Sequence, residues 1–256
     1  MTVRFELDGE GVATITIDRP ERMNALNDAH YAELSAAWVR VRDDSSVRAA
    51  IITGAGDRSF TAGADLKARA APLAADFWLT QKDQLLNRGL EVWKPVIAAV
   101  NGHCLGGGMT LLFATDLRVA ATHATFGLPE VRRGILPANG GTQRLLEQLP
   151  HAVAMELLLT GEPIDAATAL RWGLVNAVVP GDQVLATARE YASKVVANAP
   201  LAVQAAKELA IRARQLPRDE GFRLEQAMNK VLRQTDDARE GAAAFVEKRP
   251  PRFSGG

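Results

Sequence analysis

The sequence predicts an α/β fold that ends in a helical C-terminal region. Short β-rich runs alternate with helical patterns over about the first 180 residues, and helical patterns then fill the rest of the 256-residue chain. Apolar residues make up 47% of the chain and charged residues 23%, which are ordinary proportions for a globular protein. These observations exclude a wholly disordered, collagenous or fibrous chain.

The predicted elements begin with two β-rich runs at residues 3–7 and 12–17, which a turn separates in the manner of a β-hairpin. Asn27 is a candidate N-cap for a helix that begins at Asp28, and Asp165 is one for a helix at residues 166–172. Further strands are predicted at residues 47–53, 96–100, 117–120, 125–127 and 175–179. The other helical patterns lie at residues 74–90, 182–199, 200–214, 219–233 and 236–247.

Charge, cysteine content and hydropathy exclude several classes of protein. Thirty basic residues balance thirty acidic ones, whereas a nucleic-acid-binding protein usually has a basic field. The single Cys104 excludes an intramolecular disulfide and a cysteine-built zinc site, and no histidine pair has metal-ligand spacing. The longest apolar run, at residues 96–100, is far shorter than a membrane span. We therefore expect a cytoplasmic protein without a metal, a nucleic-acid partner or a membrane partner.

The first segment with candidate chemistry is TAGADL at residues 61–66, which follows a strand and resembles the start of a helix. Unpaired backbone amides at such a junction can bind an oxygen anion. Ala62, Gly63 and Ala64 are small enough to let a ligand approach the main chain. Taken alone, the segment is better explained as a plain turn with Asp65 as an acid in a first helical turn.

The second segment is NGHCLGGG at residues 101–108, between a buried strand and an apolar segment. Its consecutive glycines indicate that something approaches the backbone closely. The spacing of Gly102, Gly106 and Gly108 also matches a dinucleotide-binding fingerprint, but the segment lies far from the first βαβ unit. The Tyr-x-x-x-Lys pair of short-chain dehydrogenases is absent, so a dehydrogenase remains a minor alternative.

The third segment contains Pro129 and Glu130. An apolar setting would desolvate the Glu130 carboxylate, raise its pKa and suit it to general acid/base catalysis. The apolar side chains expected around it are Phe126, Leu128, Val131, Ile135 and Leu136. The alternative is an ordinary surface glutamate. A serine hydrolase is not indicated, because the G-x-S-x-G motif is absent.

Taken in order, these segments resemble the crotonase, or enoyl-CoA hydratase/isomerase, superfamily. The resemblance also includes RPERMNAL at residues 19–26, the stretch at 126–145, the stretch at 157–180 and the tail at 236–253, and it covers essentially the whole chain. It implies a spiral of ββα units over residues 1–196 that binds acyl-CoA. It further implies a helical region at residues 197–256 that makes the contacts of a homotrimer or a dimer of trimers.

The resemblance also implies roles for individual residues. The backbone amides of Ala64 and Gly107, both expected at helix starts, would hold the thioester oxygen as it becomes an enolate, and Glu130 would be the acid/base. No metal or prosthetic group is implied, because coenzyme A enters as part of the substrate. The positions that match substrate- or CoA-binding residues are Met23, Ala25, Ala62, Asp65, Leu66, Lys67, Gly106, Thr110, Phe245 and Lys248.

One departure from the family pattern affects the predicted reaction. Hydratases that the chain resembles usually carry a second glutamate three residues after the oxyanion glycine, where this chain has Thr110. A third position that some members use is Ala138, and the neighbouring Asn139 could hydrogen-bond a substrate or water but cannot act as a base. We expect hydration of a 2-trans-enoyl-CoA with Glu130 as the single acid/base. Double-bond isomerisation and non-catalytic acyl-CoA binding are the alternatives.

Overall fold

The computed structural model describes residues 2–68 and 85–256 and has the expected mixed α/β architecture, with parallel sheets and helices. β1 (Val3–Leu7) and β2 (Val12–Ile17) form the predicted antiparallel hairpin. α1 (Asp28–Asp43) begins after Asn27, whose side chain accepts a hydrogen bond from the His30 amide. This N-cap confirms the predicted helix start.

The other predicted elements within the described residues appear in the expected order, with ends that shift by a few residues, and three short strands at residues 59–61, 103–105 and 164–165 were not predicted. The strands are β3 (Ala49–Gly54), β4 (Ser59–Thr61), β5 (Val96–Val100), β6 (His103–Leu105), β7 (Leu117–Ala121), β8 (Thr125–Gly127), β9 (Ile164–Asp165) and β10 (Ala177–Val179). The helices are α2 (Gly107–Leu112), α3 (Gly141–Gln148), α4 (His151–Thr160), α5 (Ala166–Arg171), α6 (Val184–Val196), α7 (Pro200–Arg212), α8 (Arg218–Leu232) and α9 (Asp236–Glu247).

The larger sheet of the described residues has the strand order β1-β2-β3-β5-β7-β10, and all pairs after the first are parallel. Helix α6 packs against β3, β5 and β7. Strands β2, β3 and β5 are buried along their whole length. In β3 and β5 this burial explains why apolar residues follow one another instead of alternating with polar ones.

The smaller sheet brings the candidate site together. Its parallel strands β4, β6 and β8 are neighbours, and β9 adds an antiparallel edge. The chain leaves β4 into residues 62–68, β6 into 106–108 and β8 into 128–130. Parallel neighbours end at the same edge of a sheet, so the three segments singled out in the sequence meet there.

Two local predictions differ from the structure. Residues 62–66 do not start a helix: Gly63 has φ +83°, and Ala64 forms a parallel β-bridge with Leu26 that keeps it extended. The helix predicted at residues 74–90 lies largely outside the described residues. Within 85–90, the chain forms a short 3₁₀ helix, Leu86–Arg88, which ends at Gly89 with φ +94°.

Two searches of residues 2–68 and 85–256 gave negative results. No helix in these ranges is long and apolar enough to cross a membrane. In the same ranges, no group of three or more His, Cys, Asp or Glu side chains could hold a metal ion.

Candidate active site

Two backbone amides face the same small region at the edge of the smaller sheet. A methyl carbon added to Gly107 would lie 3.5 Å from the Ala64 nitrogen and 3.7 Å from the Tyr31 hydroxyl. Neither the Ala64 nor the Gly107 amide makes a hydrogen bond within the described part of the chain. Two unpaired N–H groups on segments that approach each other this closely can both donate to one oxygen atom.

Gly63 allows the two amide-bearing segments to touch. A side chain there would place its Cβ 2.6 Å from the Gly107 nitrogen and 2.8 Å from the Leu105 carbonyl oxygen. The Gly63 carbonyl accepts from the Leu26 amide at 2.8 Å, and the Asp65 amide donates to the Leu26 carbonyl at 2.9 Å. These bonds use the groups on either side of Ala64 and leave its own N–H unpaired.

The Glu130 carboxylate lies beside these amides. It is carried by the 3₁₀ helix Pro129–Arg133 that follows β8, and a methyl carbon on Gly106 would lie 3.1 Å from its Oε1 atom. Its Oε2 atom is buried and has no hydrogen-bond partner in residues 2–68 or 85–256. Burial raises the pKa of Glu130, and a backbone hydrogen bond and Arg133 oppose the shift.

The burial of Glu130 has a different origin from the one the sequence suggested. Phe126 and Leu128 are fully buried as expected, but Val131, Ile135 and Leu136 are exposed. The carboxylate instead faces the Gly106 backbone, because the 3₁₀ helix turns residues 131–136 outward. The expected cover of apolar side chains on that side was therefore wrong.

Thr110 lies next to the amides, and its hydroxyl already has two protein partners. It donates to the Gly107 carbonyl at 3.0 Å and accepts from Asn87 Nδ2 at 2.9 Å. A Cβ atom added to Gly141 would lie 3.0 Å from the Thr110 methyl carbon. A threonine held in this way supplies neither a base nor a free hydroxyl.

The glycines of the dinucleotide-like fingerprint are explained by packing of backbone on backbone. A Cβ on Gly102 would lie 2.2 Å from the Arg58 carbonyl oxygen, and one on Gly108 would lie 2.6 Å from the Thr61 carbonyl oxygen. Gly106 has φ +53°, a conformation that favours glycine. The glycine spacing therefore follows from the contact with β4, and no dinucleotide is needed to account for it.

Several other expected binding residues are brought together on one side of the amides. The Ala62 amide donates to the Met23 carbonyl at 3.0 Å, and Arg19 bonds both the Ala25 carbonyl, at 3.3 Å, and the Asp65 carboxylate, at 2.7 Å. The Arg19 guanidinium lowers the pKa of Asp65. The two residues that continue this segment, Leu66 and Lys67, are exposed.

Phe245 and Lys248 lie elsewhere in the fold, at the end of α9. Phe245 is 86% exposed, and Lys248 is the left-handed residue, with φ +55°, that ends the helix. Neither is among the residues that line the small pocket beside Gly107. That pocket is formed by Leu26, Tyr31, Leu34, Leu85, Asn87, Gly107, Thr110, Leu111 and Asn139.

Comparison with known proteins identifies the family of the chain. The sequence profile of the enoyl-CoA hydratase/isomerase family matches residues 8–256. The chain belongs to the enoyl-CoA hydratase/isomerase family. It is 43% identical to (E)-benzylidenesuccinyl-CoA hydratase of Thauera aromatica over the full length of both proteins. It is 42% identical to carnitinyl-CoA dehydratase of Proteus mirabilis, with 95% of each chain covered.

Solved structures of enoyl-CoA hydratases share the fold over the whole chain. The enzyme from Bacillus anthracis superimposes with a TM-score of 0.92 at 35% identity and 100% coverage of both chains. An enzyme from Mycobacterium marinum has a TM-score of 0.89 at 40% identity, covering 100% of this chain and 99% of that one. The crotonase fold expected from the sequence is therefore confirmed.

The sequence analysis missed two polar groups beside the candidate site. Tyr31 lies in none of the motifs, yet its hydroxyl is 3.7 Å from where a methyl carbon on Gly107 would lie, and the Arg88 guanidinium lies 4.7 Å from its ring centre. Asn87 was part of a predicted helical run and carried no motif. Only the tertiary contact with Thr110 identifies it, since the two residues are 23 positions apart in the chain.

Proposed function

We propose that this chain hydrates a 2-trans-enoyl-CoA, with the Ala64 and Gly107 amides as the oxyanion hole and Glu130 as the single acid/base. The observation that carries the proposal is the pair of unpaired amides in contact range of each other, with a buried carboxylate beside them. Removing one donor of such a hole typically costs about 10²–10³ in kcat, so the pair is a substantial catalytic element.

In the proposed reaction, both amides donate to the thioester oxygen, which gains negative charge as water adds to C3. Glu130 accepts the proton of that water while the hydroxyl bonds to C3, and the resulting enolate then takes a proton from Glu130 at C2. One carboxyl group thus returns to its starting state after each turnover. The raised pKa of Glu130 supports this role, because the same group must take and give a proton near neutral pH.

The relatives support a reaction of this class. One is named a hydratase and the other a dehydratase of CoA compounds, and these names describe the two directions of water addition and elimination.

No metal or prosthetic group is part of the proposal, since coenzyme A would enter with the substrate. We also propose the trimer or dimer of trimers, with residues 197–256 as the contact region and with Phe245 and Lys248 reaching CoA. The cytoplasmic location stays a prediction.

Double-bond isomerisation is the second candidate, and Thr110 is the observation that favours it. Its hydroxyl is committed to Gly107 and Asn87, so no second carboxylate or free hydroxyl stands at the position where two-glutamate hydratases have an acid. Glu130 alone could move a proton between C2 and C4 of a 3-enoyl-CoA.

Incubation with crotonyl-CoA and with a 3-enoyl-CoA separates these activities. Hydration adds the mass of one water to crotonyl-CoA, whereas isomerisation changes the chromatographic position of the 3-enoyl-CoA without changing its mass. We expect the hydrated product first. Tight binding of either compound without turnover would instead identify a non-catalytic acyl-CoA-binding protein.

A further inference from the structure

The small pocket beside Gly107 contains a buried polar atom that the proposed mechanism does not use. The Asn87 side chain is 8% exposed, and its Oδ1 atom makes no hydrogen bond within residues 2–68 and 85–256. Leaving a buried amide oxygen unpaired costs about 1–3 kcal/mol, so such a group in a functional pocket suggests a partner that arrives with the reaction.

Thr110 determines which end of the Asn87 amide faces the pocket. The Thr110 hydroxyl has one hydrogen, and that hydrogen is donated to the Gly107 carbonyl. The hydroxyl oxygen can then only accept, so Asn87 must present its NH₂ group to Thr110. The Oδ1 end, which is an acceptor, is therefore the end of the amide that has no partner among the described residues.

We propose that Asn87 Oδ1 accepts a hydrogen bond from the attacking water and holds it for Glu130. This inference rests on the proposed hydration. Asn87 would supply the acceptor that the missing second glutamate supplies in other hydratases, and Thr110 would fix its orientation. An amide oxygen cannot take the proton of the water, so the proton goes to Glu130, and the balance of the reaction is unchanged.

The test compares two reactions of the full-length protein. Hydration of crotonyl-CoA needs the water, whereas exchange of the C2 protons of butyryl-CoA with deuterium needs only the oxyanion hole and Glu130. Asn87→Leu keeps the side-chain volume and removes the acceptor. We expect the ratio of hydration to exchange to fall roughly 10- to 100-fold, the usual effect of losing one hydrogen bond to a group that develops charge.

Two further variants distinguish holding water from supporting the fold. Asn87→Asp keeps an acceptor of the same shape, so it should retain more of the wild-type ratio than Asn87→Leu does. Asn139→Gly removes the other amide side chain of the pocket while keeping a residue that tolerates its φ of +56°. If Asn139→Gly lowers the ratio and Asn87→Leu does not, the proposal is overturned.

The remaining outcomes are also decisive. If Asn87→Leu lowers hydration and exchange by the same factor, Asn87 only supports the Gly107 segment, and the inference fails while the proposed function stands. If Asn87→Leu does not fold, Asn87→Ala removes the same acceptor and takes its place in the comparison with Asn87→Asp. If the wild-type protein exchanges C2 protons but hydrates no enoyl-CoA, the proposed function fails, and the inference fails with it.

Discussion

Glu130 shows how one side chain can combine accessibility to substrate with a desolvated environment. Its Oε1 atom faces the Gly106 backbone, and its Oε2 atom is buried without a partner in the described chain.

Glu130→Gln keeps the shape but removes the titratable proton. We expect kcat for crotonyl-CoA hydration to fall about 10²–10⁴-fold, the usual contribution of acid/base catalysis. Acyl-CoA binding, measured by calorimetry, should survive, and a variant that keeps wild-type kcat would remove Glu130 from the mechanism.

The same variant carries a prediction about stability. Burial raises the folded-state pKa of Glu130, so the folded protein holds this proton more tightly than the unfolded chain does. Below the unfolded pKa, near 4, both states are protonated and the group has no effect. From there up to the folded-state pKa, the unfolded chain loses its proton while the folded protein keeps it, so the free energy of unfolding of the wild type falls. Urea unfolding should therefore show that Glu130→Gln gains stability over wild type between pH 4 and pH 7, and a constant difference would contradict this.

Some residues of the site could be predicted from the sequence, and others could not. Glu130, Ala64 and Gly107 lie in local motifs of proline, glycine and small residues, so the sequence could single them out. Asn87 lies in no motif, and its orientation depends on a hydrogen-bond chain through Thr110 to Gly107. These hydrogen bonds form only when segments distant in the sequence come together in the fold, so periodicity or motif spacing cannot predict them.

At the scale of elements, the oxyanion hole depends on how closely the segments after β4 and β6 approach each other. Gly63→Ala would place a methyl carbon 2.6 Å from the Gly107 nitrogen and must push the two amides apart. We expect kcat to fall at least about 100-fold, as when one oxyanion donor is lost. Steady-state kinetics on the folded variant measures this.

Gly134→Ala is the matched control for that variant. Gly134 has φ +73°, close to the +83° of Gly63, but an added Cβ would meet nothing within 4 Å. Both variants therefore carry the strain of a left-handed alanine, about 1–2 kcal/mol, and only Gly63→Ala obstructs the site. Equal activity loss in the two variants would mean that strain, and not the spacing of the amides, is responsible.

The longer elements were largely predictable, whereas the short strands β4, β6 and β9 were not, and the wrong prediction of a helix start has a clear cause. Buried strands such as β3 and β5 are continuous apolar runs, and α1 and α5 have side-chain N-caps at Asn27 and Asp165. The expected helix at residues 62–66 was wrong because Ala64 bridges Leu26, which lies on a segment far away in sequence. Local small-residue patterns are the same for a helix start and for such a bridge, so only tertiary contacts decide between them.

At the scale of the whole molecule, the C-terminal helices leave apolar side chains in contact with solvent. Gly221 is the single buried residue of α8, whereas Phe222 and Val231 on that helix and Phe245 and Val246 on α9 are exposed. The tail folds back on α9, where the Asp237 carboxylate accepts from the Ser254 and Gly255 amides at 2.7 and 3.0 Å. An ordered end with exposed apolar faces is typical of a region that another copy of the chain covers.

The prediction at this scale is that the protein sediments as a trimer, or as a dimer of trimers, of its 27.5 kDa chain. Val231 on α8 is 67% exposed, and Leu159 on α4, at 66%, provides a matched position outside the C-terminal region. Burial of a valine in an interface contributes about 1.5–3 kcal/mol, and a charge there would reverse the effect. Val231→Asp should therefore dissociate the assembly at micromolar concentration, while Leu159→Asp should not. A wild-type monomer at that concentration, or equal behaviour of the two variants, would show that α8 is not the surface through which the copies associate.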